Sequence, residues 1–214
     1  MILRDTVGNL TKQLNEIFPR AQAATEASQA ISAGLRHYQA LALFGLATQF
    51  NLSGANILEL GTAVGYSASM IAQAAPLARL ITLNPRQIEI ELATKNLRPW
   101  PQARVIMLCS WDYLSNYAGP VLDMVFVDGS HNQIARDLPW FNHLRTGGLL
   151  LCHDYTPEGG KKPSPIIYAE LNKMAEKLGR PFDVSIIDTD SRLEGMAGFY
   201  RRKGETWPVQ SLTQ

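Results

Sequence analysis

The stretch Ile57-Leu58-Glu59-Leu60-Gly61-Thr62-Ala63-Val64-Gly65-Tyr66-Ser67 constrains the fold of this chain more than any other. An apolar run closes on an acidic side chain and passes into a loop with glycines four residues apart, in the form E-x-G-x-x-x-G. Glycine at position 61 can take a backbone conformation closed to other residues, and Gly65 lets a ligand or a packing helix approach the main chain. The helix expected over residues 66–75 aims its unsatisfied N–H groups and the positive end of its dipole into the same crevice. A nucleotide-like ligand fits such a place. The dinucleotide spacing G-x-G-x-x-G is absent, because Ala63 and Tyr66 stand where glycines are needed, so a nicotinamide reading lacks its usual support.

The rest of the chain supplies the frame for that loop. Its 214 residues, 46% of them hydrophobic, suffice for one medium domain with a sizeable core. Residues 57–60, 80–83, 105–108, 122–127 and 149–152 read as strands. Between them, residues 87–97 and 132–144 carry helical periodicity, and 111–117 reads as a shorter helical connection. That alternation predicts an α/β fold with parallel strands covered by helices on both faces. Upstream, residues 21–33 and 35–50 read as helices and give an N-terminal helical extension or cap over 1–52. The main domain is then expected over 53–202. After a Gly-, Pro- and Lys-rich loop at 155–165, residues 166–178 form a helix, and 184–187 and 196–201 are strands close enough to pair antiparallel. Residues 203–214 read as a polar, loose tail.

Charge and cysteines narrow the function classes. Twenty basic against nineteen acidic side chains leave a formal charge of +1, so no net field recruits nucleic acid or an anionic membrane. Residues 1–14 mix Arg4, Asp5 and Lys12 with isolated apolar residues, which suits neither a signal peptide nor a membrane span, and a cytoplasmic location is expected. Cys109 and Cys152 each end an apolar run, as small core residues do, rather than as partners in a disulfide.

In an open α/β sheet, ligands bind beyond the carboxyl ends of the strands. The residues found there are Asn84 after the second strand, Ser110-Trp111-Asp112 after the third, Asp128-Gly129-Ser130-His131 after the fourth, and His153-Asp154-Tyr155 after the fifth. Asp128, His131, His153 and Asp154 follow two strands expected to be neighbours. Asp128 is also placed to cap the helix that begins near His131, so capping and ligand binding are both open.

From position 35 to 201 the chain resembles the class I S-adenosylmethionine-dependent methyltransferases. Residues 59–68 look like the first cofactor motif of the small-molecule O-methyltransferases. Val127-Asp128-Gly129-Ser130-His131, Leu144-Arg-Thr-Gly147-Gly148-Leu149 and Cys152-His153-Asp154-Tyr155 resemble later motifs of methyltransferase family 24, related to the macrocin-type sugar O-methyltransferases. The resemblance implies a Rossmann-like seven-stranded sheet of order 3-2-1-4-5-7-6 with the last strand antiparallel. It places S-adenosylmethionine against Glu59, Gly61, Thr62, Gly65, Tyr66, Ser67, Asn84, Ser110, Trp111 and Asp128. Asn84 stands where the family usually has an acidic residue that accepts hydrogen bonds from both ribose hydroxyls. An amide oxygen accepts without the charge.

For chemistry, the resemblance makes His131 the general base, with Asp128 at the reacting centre. It makes Asp128 and Asp154 ligands of a divalent metal such as magnesium, with His153 as a third candidate where those enzymes often present another carboxylate; that departure leaves weaker metal binding, preference for a softer metal and chemistry without a metal all open. The expected partner is a small hydroxylated molecule, a sugar or natural product, and neither nucleic acid nor membrane. The apolar face of residues 35–50 offers a surface for a homodimer. The competing reading, motivated by Asn84 and His153, is a binding or assembly protein that keeps the fold and has lost efficient catalysis.

Overall fold

The computed structural model describes residues 7–31, 35–156, 164–187 and 195–208. Two helices come first, α1 (Val7–Ala27) and α2 (His37–Thr48). Strands and helices then alternate: β1 (Asn56–Leu60), α3 (Tyr66–Ala74), β2 (Arg79–Asn84), α4 (Gln87–Asn96), β3 (Ala103–Met107), α5 (Ser110–Ser115), β4 (Leu122–Val127), α6 (Ile134–Asp137) and β5 (Leu144–Tyr155). The chain ends with α7 (Pro165–Leu178), β6 (Val184–Ile187) and β7 (Gly195–Tyr200). The seven strands form one sheet in the order β3-β2-β1-β4-β5-β7-β6. β1 to β5 run parallel, and β7 is antiparallel to both β5 and β6, as the resemblance implied.

Strands covered on both faces must be apolar at odd and even positions alike. In β4 all six residues are buried, with Met124 and Phe126 on one face and Val125 and Val127 on the other. The first face carries Ile57, Leu149, Leu151 and Met196 and packs against α1, α2 and α3. The second carries Leu58, Leu150, Cys152 and Phe199 beneath Trp140, Phe141 and the Ile167, Leu171 and Met174 stripe of α7. The two N-terminal helices therefore share the central core: Ala21, Leu43 and Phe44 are buried in the same cluster as Met70 and Phe126.

Three expectations are corrected. The helix read over 132–144 is broken into a 3-10 turn at His131–Gln133, α6, and a second 3-10 segment at Leu138–His143. Pro139 opens that last segment, where its missing N–H and ring are tolerated but a continuing α-helix is not. The tail is not loose up to residue 208. Trp207 is buried, exchanges two hydrogen bonds with Asn142 (2.6 and 2.7 Å), and carries the Lys177 ammonium 4.9 Å from its ring centre. Finally, Cys152 is a core residue, but Cys109 is only partly buried and lies on the wall of a cavity. The loop segment Gly159-Gly160-Lys161-Lys162, the link at 188–194 and the tail beyond 208 lie outside the described residues. Among the described residues, no helix is long and apolar enough to cross a membrane.

Candidate active site

A cavity of about 390 Å³ opens at the carboxyl ends of β1, β2, β3 and β4. Its shape begins with Gly61. That residue has φ +102°, and a Cβ there would lie 2.1 Å from the Asp128 carbonyl oxygen, so the loops after β1 and β4 touch backbone to backbone. Main-chain bonds pin them: Asp128 N–H donates to Leu60 C=O (2.8 Å), and the N–H groups of Gly61 and Thr62 both donate to Leu83 C=O (2.9 and 3.1 Å). Ala63, at φ +42°, completes the sharp turn into α3.

Of the residues assigned to the cofactor, Gly61, Asn84, Ser110, Trp111 and Asp128 line this cavity. Glu59, Thr62, Gly65, Tyr66 and Ser67 do not. Position 59 shares the strand parity of Ile57, so Glu59 points below the loop, where it is fully buried and accepts the Thr82 hydroxyl. Thr82 has one hydroxyl proton, so Thr62, 2.5 Å away, donates to it in turn. Burial pushes the Glu59 carboxyl up to about 7 against the opposing Ser67 and Thr82 hydroxyls. Gly65 makes room for protein: a Cβ there would meet Leu97 at 3.2 Å, so α4 packs where a ligand was expected. Tyr66 belongs to the core under α3.

The second half of the site is a linked set of four side chains. His153 Nδ1 lies 3.0 Å from Asp128 Oδ1 and 3.3 Å from Asp154 Oδ2, and His131 Nε2 lies 2.7 Å from Asp154 Oδ2. Adjacent strand residues normally point to opposite faces, yet His153 and Asp154 converge. The reason is a bulge: His153 pairs with Met196 and Tyr155 with Gly195, which leaves Asp154 unpaired at φ +57°. Aspartate is among the few residues that tolerate that left-handed conformation. Asp128 therefore serves the cluster. The 3-10 turn at His131 starts from Ser130 without a side-chain cap.

Electrostatics bind the cluster together. Burial opposes charging of His153, but the Asp128 and Asp154 carboxylates prevail and raise it to about 10. Burial opposes ionisation of Asp154, and hydrogen bonds from His153 and His131 prevail there too, lowering it to about 2. The donor atoms of Asp128, His153 and Asp154 all lie within 4.8 Å of one another. His153 Nδ1 carries a proton toward both carboxylates, so a cation would have to displace that proton; once it is lost, two carboxylates and one nitrogen form a donor set that fits a divalent metal that accepts nitrogen.

Two wall residues escaped the sequence reading. Asp137 is 2% exposed and accepts the Ser110 hydroxyl, and its burial pushes it up to about 7. Glu89, in the first turn of α4, hydrogen-bonds Asn84 at 2.7 Å. In sequence both sit in amphipathic stretches where an acid reads as a solvated helix residue; only the cavity distinguishes them.

Similarity to known proteins accords with this geometry. A family described as a methyltransferase domain matches residues 58–155. The catechol O-methyltransferase of Mycobacterium tuberculosis is 30% identical over 108 residues, and the matched stretch spans only about half of each protein, 49% of this chain and 49% of that enzyme. Among solved structures, cofactor-bound Rv0187 from MTB has a TM-score of 0.64 at 21% identity, over 86% of this chain and 90% of that one. The O-methyltransferase TomG of Streptomyces achromogenes, involved in tomaymycin synthesis and solved with S-adenosylmethionine, has a TM-score of 0.62 at 20% identity, over 85% and 89% of the two chains.

Proposed function

We propose that this chain, which matches a methyltransferase-domain family over residues 58–155 and has the class I methyltransferase fold, transfers the methyl group of S-adenosylmethionine to a hydroxyl oxygen of a small molecule. The observation that carries the reading is the His131–Asp154 contact of 2.7 Å beside Asp128, a residue on the wall of the cavity. The hydroxyl direction is supported by the O-methyltransferase relatives, whose names place catechol and a natural-product pathway among their chemistries.

The cavity suits the cofactor in its parts. Gly61 brings backbone close to a ligand, Trp111 offers an apolar face for a base, and acidic groups line the wall between. When bound, S-adenosylmethionine supplies a methyl carbon on a cationic sulfur, which leaves with its bonding pair as the neutral thioether. The demand left for the protein is to align a hydroxyl oxygen and take its proton. With His131 Nε2–H donating to Asp154, Nδ1 is the basic atom of the imidazole. Asp154 fixes the ring and stabilises the imidazolium that forms when Nδ1 takes the proton. His153 holds the Asp128 and Asp154 carboxylates in one orientation. Asp128, His153 and Asp154 are the residues that would hold a divalent cation, whose chemistry there would be to lower the pKa of the acceptor hydroxyl.

The test is a transfer assay with deuterium-labelled S-adenosylmethionine and a panel of catechols, sugars and phenolic natural products, read by mass spectrometry. The expected product is an oxygen-bound labelled methyl group that His131→Ala no longer forms. Labelled methyl on nitrogen or carbon alone would overturn the oxygen-directed reading. Failure to bind S-adenosylmethionine would favour the binding-protein alternative.

A further inference from the structure

With S-adenosylmethionine in the cavity as proposed above, the sheet order sets the sequence in which its parts meet the wall. Trp111 follows β3, Gly61 follows β1, and β2 runs between them. A base on Trp111 and a sulfur near Gly61 and Asp128 therefore leave the sugar at the end of β2. Asn84 stands there, but its amide is uncharged and bonded on both arms, which leaves a single neutral acceptor lone pair and one N–H. Its Oδ1 accepts the Arg86 main-chain N–H at 2.9 Å, and its Nδ2 donates to Glu89 Oε2 at 2.7 Å.

Glu89 and Arg86 are the other polar side chains at this corner, and Glu89 is the acceptor of the two. It reaches the cavity wall from the first turn of α4, and its Oε1 accepts from Arg86 Nη1 at 3.0 Å. Each carboxylate oxygen has two lone-pair directions, so Glu89 retains one on each after these bonds. Asp128 is bonded to His153, and Asp137, in α6 after β4, accepts the Ser110 hydroxyl. Glu89 is thus the carboxylate placed to meet a vicinal diol.

We propose that Glu89 binds the ribose hydroxyls of the cofactor and that Asn84 is a positioning residue that orients its carboxylate. A charged acceptor absent from the end of β2 is supplied instead from the neighbouring helix. This inference rests on the cofactor reading above. It also accounts for Asn84 without lost function, because the asparagine donates to the acid in place of being one.

The experiment is calorimetry of the full chain with S-adenosylhomocysteine and with its analogue lacking both ribose hydroxyls. Wild type is expected to prefer the intact ligand. Glu89→Gln keeps the side-chain shape and removes the charge. It is expected to weaken S-adenosylhomocysteine binding on the order of 10- to 100-fold, to leave binding of the analogue nearly unchanged, and so to abolish the preference. Asn84→Ala reduces the same preference with little change for the analogue. If wild type binds S-adenosylhomocysteine and Glu89→Gln retains both affinity and preference, Glu89 is only a helix-terminal acid paired with Arg86 and the inference falls alone. If wild type binds neither ligand, the cofactor reading falls and takes the inference with it.

Discussion

His131 and Asp154, which follow different strands, meet at 2.7 Å between Nε2 and Oδ2. The contact depends on the bulge at Asp154, where φ +57° turns the carboxylate out of the β5 ladder and back toward the turn after β4. His131 is nearly half exposed, so its removal should cost little stability. His131→Ala is expected to lower turnover by about 10²–10⁴-fold with cofactor affinity retained. Asp154→Asn tolerates the left-handed backbone, removes the charge, and should lower turnover in the same direction. Single-turnover rates with a calorimetric check on cofactor binding test both; unchanged rates would remove His131 as the base.

The nitrogen donor of His153 predicts metal preference. Manganese or zinc should bind at Asp128, His153 and Asp154 more tightly than magnesium, which favours oxygen ligands. His153→Asp should shift the order toward magnesium. Titration of each ion into both proteins measures this; an identical order in the two would show that His153 is no ligand.

Glu59 predicts a pH dependence of stability. Its carboxyl titrates at 4.5 ordinarily and at about 7 in the fold, so the folded chain holds a proton that the unfolded chain has released across that interval. The associated stability is fully present below pH 4.5 and is lost as pH rises through about 7. Glu59→Gln should flatten that decline in urea-unfolding curves collected across the range. A variant with the wild-type slope would assign the decline to other groups, Asp137 first among them.

Backbone crowding separates two glycines. Gly61→Ala puts a Cβ 2.1 Å from the Asp128 carbonyl in a left-handed backbone, whereas Gly179→Ala, at φ +64°, meets nothing within 4 Å. The first should cost about 3 kcal/mol or more and lower Tm by roughly 10 °C, and the second only about 1 kcal/mol. Thermal denaturation of both variants decides; equal shifts would show that φ alone, and not the packing of the two loops, sets the cost.

The sequence carried the sheet well because five apolar runs stood out between helical stretches, four of them buried and the third at the half-exposed edge of the sheet, and the glycine loop marked where β1 must turn. It also carried the identity of the polar residues after each strand. What it could not carry was direction. Glu59 and Asp128 both lie at strand ends, yet strand parity buries Glu59 beneath the loop and a backbone contact brings Asp128 to the cavity wall. The convergence of His153 and Asp154 rests on an unpaired residue in a ladder, which no periodicity announces. Glu89 and Asp137 were hidden for the opposite reason, since an acid in an amphipathic helix needs no special explanation until a cavity is found beside it.

Titration of S-adenosylhomocysteine into the purified chain tests the central claim most directly. The account predicts one saturable site, lost in Gly61→Ala protein that remains folded at low temperature, because that loop forms the cavity wall at the end of β1. Absence of binding at millimolar ligand to folded wild-type protein would contradict it.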